Sequence, residues 1–166
     1  MKDLDFEPSK SKKEFHKNYK LHDLAEWHGK NLLAQWGIEY SEFGKDNRFE
    51  KVWEKGEDKP DGIIEYKGKS AFIDWKGKHK AGWLVNNRAV KAYEKWNSEF
   101  KIPVFIAFFL FDEKNILRQK RFAFLGKHNY FVSKDKQWDK NLTVEFENNL
   151  PEFDKAEILN FLLHKQ

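Results

Sequence analysis

Asp61 and Asp74 lie thirteen positions apart, and Lys76 follows two residues after the second acid. All three belong to "KPDGIIEYKGKSAFIDWK" (59–76), in which "DGIIEY" and "SAFIDWK" alternate like strands and meet through Lys67-Gly68-Lys69. A β-hairpin is the economical reading. If it is centred on Lys67-Gly68, paired positions sum to 135, so Tyr66 meets Lys69 and Asp61 meets Asp74. Directly opposed residues hold their Cβ atoms about 4.5–5.5 Å apart, where like charges destabilise a sheet unless something compensates them. A hard divalent cation wants oxygen ligands at that separation, and Lys76 returns to the face of Asp74. The pattern therefore points to metal-assisted chemistry at two carboxylates with an ammonium group beside them. A register slip of one residue would send the acids to opposite faces.

Each piece has a plainer reading. Pro-Asp-Gly is turn chemistry in its own right, and an acid, any residue and lysine recur at 57, 65, 74, 99 and 112. What separates Asp74 is its place at the end of an apolar strand whose partner opens on Pro60-Asp61.

The surrounding elements must bring these residues together. Apolar or small residues at 25, 29, 32, 33 and 36 follow a helical period over 21–36, and Gly37 supplies a left-handed stop. "IEYSEF" (38–43) reads as a strand, and 44–60 is rich in charge and turn residues, with "RFEKVW" a further short strand. Val90, Tyr93, Trp96 and Phe100 share one face of a helix over 86–100, Tyr93 and Trp96 as core residues. The run "KIPVFIAFFLF" (101–111) reads as a central strand buried on both faces. Beyond it, "QKRFAFLG" and "LTVEFE" read as strands, and an amphipathic helix begins at Asp154, its N-cap. Ile158, Leu159, Phe161, Leu162 and Leu163 of that helix either cap the sheet or form a dimer surface.

With helix, strands, helix and strand in this order, the chain resembles the PD-(D/E)xK nucleases of the restriction-endonuclease-like fold. Pro60-Asp61 and Asp74-Trp75-Lys76 fill the signature. It is most similar in pattern to the archaeal-type Holliday junction resolvases, in which a helical glutamate precedes a strand-opening glycine by eleven residues, as Glu26 precedes Gly37 here. The resemblance spans about residues 20–111 and implies an α/β fold with an αβββαβ core, a central mixed sheet flanked by helices, and a strand and helix extension over 112–166. Residues 1–166 would form a single nuclease domain.

The resemblance further implies that Asp61, Asp74 and the Trp75 main-chain carbonyl bind Mg²⁺, with Mn²⁺ as a substitute, and that Glu26 completes the site. Lys76 would position the attacking water or stabilise the pentavalent phosphorus. The implied activity is hydrolysis of duplex or branched DNA to 5′-phosphate and 3′-hydroxyl ends, with a homodimer as one assembly. Glu26 can also be read as a solvated helix residue paired with Lys30 at i+4. Restriction, repair and mobile-element nucleases are alternatives within the fold, and a non-catalytic nucleic-acid-binding module is the alternative outside enzymes. The stretch 44–60 is longer than is usual in the resolvases, and 112–166 has no counterpart there.

Lys78, His79, Lys80, Trp83, Arg88 and Lys91 follow the signature, and Lys78, Lys80, Arg88 and Lys91 are the candidate phosphate contacts. The lysine-rich segment 10–20 is a solvated helix or a DNA-tracking arm. "GKS" (68–70) is not a phosphate loop, because position 63 is isoleucine and no helix follows. His16, His22 and His28 recur every six residues, which turns them away from one another on a helix, and they read as ordinary histidines.

Composition bounds the rest. With 31 basic against 27 acidic residues, the net charge of +4 permits a polyanionic partner without demanding one. Aromatics at 17% supply a core, and the lack of cysteine excludes disulfides, thiol catalysis and cysteine-based metal sites. No signal-like N-terminus or membrane-length apolar run is present, so the expectation is a cytoplasmic protein, with a phage or mobile element among its sources.

Overall fold

Lys67 and Gly68 both take positive φ, 49° and 80°, the two-residue connection whose twist matches that of paired strands. The hairpin forms in the expected register, from Tyr66 opposite Lys69 to Gly62 opposite Ile73. The computed structural model describes residues 21–42, 59–138 and 141–164. Its elements are α1 (Leu21–Trp36), β1 (Glu39–Glu42), β2 (Gly62–Tyr66), β3 (Lys69–Lys78), β4 (Trp83–Asn86), α2 (Asn87–Phe100), β5 (Val104–Phe111), β6 (Leu117–Phe124), β7 (Tyr130–Trp138), β8 (Asn141–Phe146) and α3 (Lys155–His164).

Five strands form a mixed sheet in the order β1-β2-β3-β5-β6. Only β3 and β5 run parallel, with Asp74 beside Ile106 and Lys76 beside Phe108. Strand alternation divides β5 between two cores. Phe105, Ala107, Phe109 and Phe111 join Trp75, Leu24, Leu33, Phe153, Ile158 and Leu162 on the side of α1 and α3. Val104, Ile106 and Phe108 join Phe72, Val90, Tyr93, Val144 and Phe146 on the side of α2. This is the mixed α/β architecture with a helix-flanked central sheet that the sequence predicts.

Several elements differ from the sequence expectation. A second, three-stranded sheet, β4-β8-β7, stands against α2, and neither β4 nor β7 was expected. β4 is held by its pairing with β8, a long-range contact that local periodicity does not carry, and β7 pairs with β8 as the strand that follows it. The central strand starts at Val104, after Pro103, and not at 101. Phe100 is 46% exposed despite its helical register with Tyr93, its ring stacked on Trp96. Ile158 and Leu162 are fully buried and α3 packs on the first core, so this helix caps the sheet. Asp154 Oδ1 accepts from the Glu157 amide at 2.9 Å, the expected N-cap. The proposed strand "RFEKVW", His16 and the lysine-rich segment 10–20 lie outside the described residues. Among the described residues, no helix is long and apolar enough to cross a membrane.

Two glycines let α1 settle onto β3. A Cβ at Gly29 would stand 2.1 Å from the Trp75 ring, and one at Gly77 would stand 2.1 Å from the Leu21 carbonyl oxygen. Side chains at these positions would lift the helix away from the strand.

Candidate active site

A gap in the sheet builds the site. β2 begins at Gly62, so β3 loses that neighbour beyond Ile73, whose carbonyl still accepts from the Asp61 amide at 3.0 Å. Trp75 is the next residue whose main-chain groups face that side. Its amide donates to Asp61 Oδ2 at 2.8 Å, and its carbonyl lies 3.0 Å from His22 Nδ1. The side chains of Asp61 and His22 thus replace the missing strand and gather where it ends.

Asp61 and Asp74 lie within hydrogen-bonding reach of each other, as the register predicts. Lys76 Nζ lies 3.0 Å from Asp74 Oδ2. The contact is an ion pair that holds the buried Asp74 carboxylate against the Lys76 ammonium. Glu26 is 1% exposed, which removes the reading of a solvated residue paired with Lys30; the Lys30 ammonium lies over the Tyr40 ring, 5.4 Å from its centre. Glu26 is held from behind: Trp75 Nε1 donates to the Tyr40 hydroxyl, which donates to Glu26 Oε2, both at 3.3 Å.

Burial, then the adjacent Asp74, pushes the Asp61 carboxyl well above the ordinary range, against the Trp75 amide and Lys76. Burial pushes Asp74 upward too, but Lys76, the hydrogen bond with Asp61 and His22 together outweigh it and hold Asp74 below its usual value. The two carboxyls are thus driven apart, Asp61 upward and Asp74 downward. Burial also raises Glu26, with His22 and Lys30 opposing only in part. Three crowded acids form a hard donor set that suits a divalent cation.

A cleft of about 720 Å³ runs from Lys76 along the end of β3 to Asn86, with Lys78, His79 and Lys80 in its walls. Lys80 is exposed. Lys78 is engaged within the chain, its Nζ donating to the Gly82 carbonyl and lying 5.9 Å from the Trp83 ring centre. Arg88 and Lys91 are exposed on α2 but are not among the cleft's walls. Asn86 Oδ1 caps α2 by accepting from the Arg88 amide at 2.8 Å, so the cleft ends at a helix N-terminus.

His22 and Tyr40 are the site residues that the sequence reading missed. His22 was weighed only against histidines six positions away, whereas its partner is Glu26 at i+4, on the same helical face. Its Nε2 lies 3.8 Å from Glu26 Oε1 and 3.5 Å from Asp61 Oδ1. His28 does behave as an ordinary histidine, packing against Trp27 and Phe111. For Tyr40, the one aromatic residue of β1, no sequence signal says that its hydroxyl reaches Glu26.

No family model matches the chain. No curated protein matches it either. Among solved structures, it is similar to Archaeoglobus fulgidus Hjc, a Holliday junction resolvase from an archaeal hyperthermophile. The TM-score is 0.52 at 12% identity, over 82% of this chain and 99% of that one. At that identity the likeness is one of fold, the restriction-endonuclease-like arrangement.

Proposed function

We propose that this chain is a divalent-metal-dependent endonuclease of the PD-(D/E)xK type, cutting DNA to 5′-phosphate and 3′-hydroxyl ends. The observation that carries the reading is the approach of Asp61 to Asp74 where β2 ends beside β3, with Lys76 next to them. Asp61, Asp74, Glu26 and the Trp75 carbonyl are the groups that would hold Mg²⁺ or Mn²⁺. When bound, such an ion polarises a phosphodiester and acidifies a coordinated water.

The chain's own groups supply the rest. Asp61 would bind the ion as a carboxylate, its Oδ2 held by the Trp75 amide. The Lys76 ammonium is half-exposed and stands at the mouth of the site. There it can orient the attacking water or meet the negative charge that grows on the phosphorus oxygens. Trp75 keeps the strand rigid between them, and burial of Glu26 and Asp74 keeps bulk water from competing for the ion. The cleft's lysines and the N-terminus of α2 suit phosphate contacts that position a backbone without reading bases.

Branched DNA is the preferred substrate in this reading, because the structural neighbour is a junction resolvase. The test is a cleavage assay on supercoiled plasmid, linear duplex, single strand and a four-way junction, with Mg²⁺, Mn²⁺ or EDTA. Metal-dependent cutting that disappears in Lys76→Ala is expected, with the junction cut fastest. A protein that binds DNA yet cuts none of the four would instead be a binding module on a nuclease scaffold.

A further inference from the structure

We infer that Trp96 and Phe100, at the far end of α2 from the lysine cleft, form a stacking platform for an unpaired nucleobase beside the cut, so that the preferred DNA carries a single-stranded segment next to its duplex. The inference rests on the reading above for its DNA substrate and names the feature of branched DNA that this chain would recognise.

The platform is built on the strand that carries the site. Phe72, Asp74 and Lys76 fall on one face of β3, where alternate residues stand about 7 Å apart. The buried Phe72 ring meets Trp96 and Phe100 edge-on, both at 6.2 Å between centres. Those two rings stack on each other, 4.9 Å apart and 16° from parallel. Trp96 is half-buried, but Phe100 stays 46% exposed. A surface ring laid flat on a tryptophan and braced from below is a π-face already fixed in place.

Charge selects among occupants. The Lys59 ammonium lies 5.5 Å from the centre of the Trp96 ring, two residues before Asp61. The chain leaves α2 through Lys101, exposed and left-handed at a φ of 59°, where glycine is the usual residue. Two cations at the rim of an aromatic face suit a nucleotide, whose base offers a π-face and whose phosphate is anionic. The polarity of α2 agrees. Its N-terminus closes the cleft, where phosphate is favoured, and its C-terminus lies at the aromatic pair, where phosphate is not. Fourteen residues hold the two ends about 20 Å apart, roughly six steps of a DNA strand at about 3.4 Å each. Along β3 the order is the same, with Phe72 beneath the platform, Asp74 in the carboxylate corner and Lys76 at the cleft. A strand that passes from duplex to unpaired would cross the carboxylates at the change.

The test is 2-aminopurine placed in turn at each position of a single-stranded tail on a duplex, titrated with the full chain in EDTA, beside affinities for the tailed duplex and for a blunt duplex of equal length. Quenching at one or two tail positions near the branch is expected with the native protein and should be lost in Phe100→Leu. Affinity for the tailed DNA should then fall about 5–150-fold while that for the blunt duplex holds. Phe100→Trp, which keeps an aromatic face, should restore both. Bound DNA with no quenched position would overturn the platform and give the face to a protein partner, and an equal loss on both DNAs would also overturn it. A free protein whose sedimentation shifts to a smaller species in Phe100→Leu would give the face to a second copy, with the same result. The titration needs no metal, so platform and cutting fail separately. A platform lost with Mg²⁺-dependent cutting intact leaves the endonuclease reading in place, whereas a protein that stacks the base yet cuts nothing overturns that reading alone. A protein that binds neither DNA overturns both.

Discussion

The carboxylate corner and the lysine cleft meet at Lys76, yet they are built in opposite ways. In the corner each group is fixed by another: Asp61 by the Trp75 amide, Glu26 by Tyr40, and Tyr40 by the Trp75 indole. In the cleft, Lys80 is exposed and the walls run from the end of β3 through the connecting residues into β4. Chemistry at a phosphorus atom tolerates little misplacement, whereas backbone binding gains from long, mobile charges. Substitutions in the corner should therefore change rate steeply, and those in the cleft should change affinity gently.

The largest effect expected is the loss of cleavage, by about 10³-fold or more, in Asp61→Asn and Asp74→Asn, with far-ultraviolet circular dichroism unchanged. If either variant cut at native rates, the corner would be no more than a buried polar cluster. Next is the stability of the metal-free protein. Asp61 has a raised value in the folded chain, so below about pH 4 both folded and unfolded chains hold the proton and no penalty exists. Above that, the unfolded chain loses a proton that the folded chain keeps, so stability falls with rising pH and levels off once Asp61 ionises in the folded chain as well. Thermal melts in EDTA should show that fall, Asp61→Asn should flatten it, and added Mn²⁺ should reverse it.

A smaller effect is expected behind the site. Tyr40→Phe removes the donor to Glu26, a hydrogen bond worth about 1 kcal/mol, so metal affinity should drop about 5–10-fold with the fold intact. No change in an isotherm would show that Glu26 is held by burial alone. The smallest change belongs to the cleft, where Lys80→Ala should make the salt dependence of DNA binding shallower by about one unit of slope per lost phosphate contact. Cleavage at saturating DNA should hardly move. A collapse of cleavage there would erase the division between corner and cleft.

The corner was more legible in the sequence than the cleft, and for a physical reason. Two-residue hairpins have fixed register, so the positions of Lys67 and Gly68 were enough to oppose Asp61 and Asp74. The helical period over 21–36, with Gly37 as its left-handed stop, likewise located the end of α1, where Gly37 has a φ of 75°. The cleft depends on β4, a four-residue strand that exists because it pairs with residues some sixty positions later. No local pattern announces such a strand. His22 lies between the two cases, since its i+4 relation to Glu26 was visible but had meaning only once Asp61 was known to arrive from across the sheet.

Trp75 occupies the unspecified position of the signature, between Asp74 and Lys76, and strand alternation turns it into the core, against the bare face of Gly29. The two positions therefore behave as one heritable unit. A lineage that enlarges residue 29 must shrink residue 75 in the same stroke, and a smaller residue 75 forfeits the indole that steadies Tyr40. Among descendants of this chain, the two sites should change together or not at all.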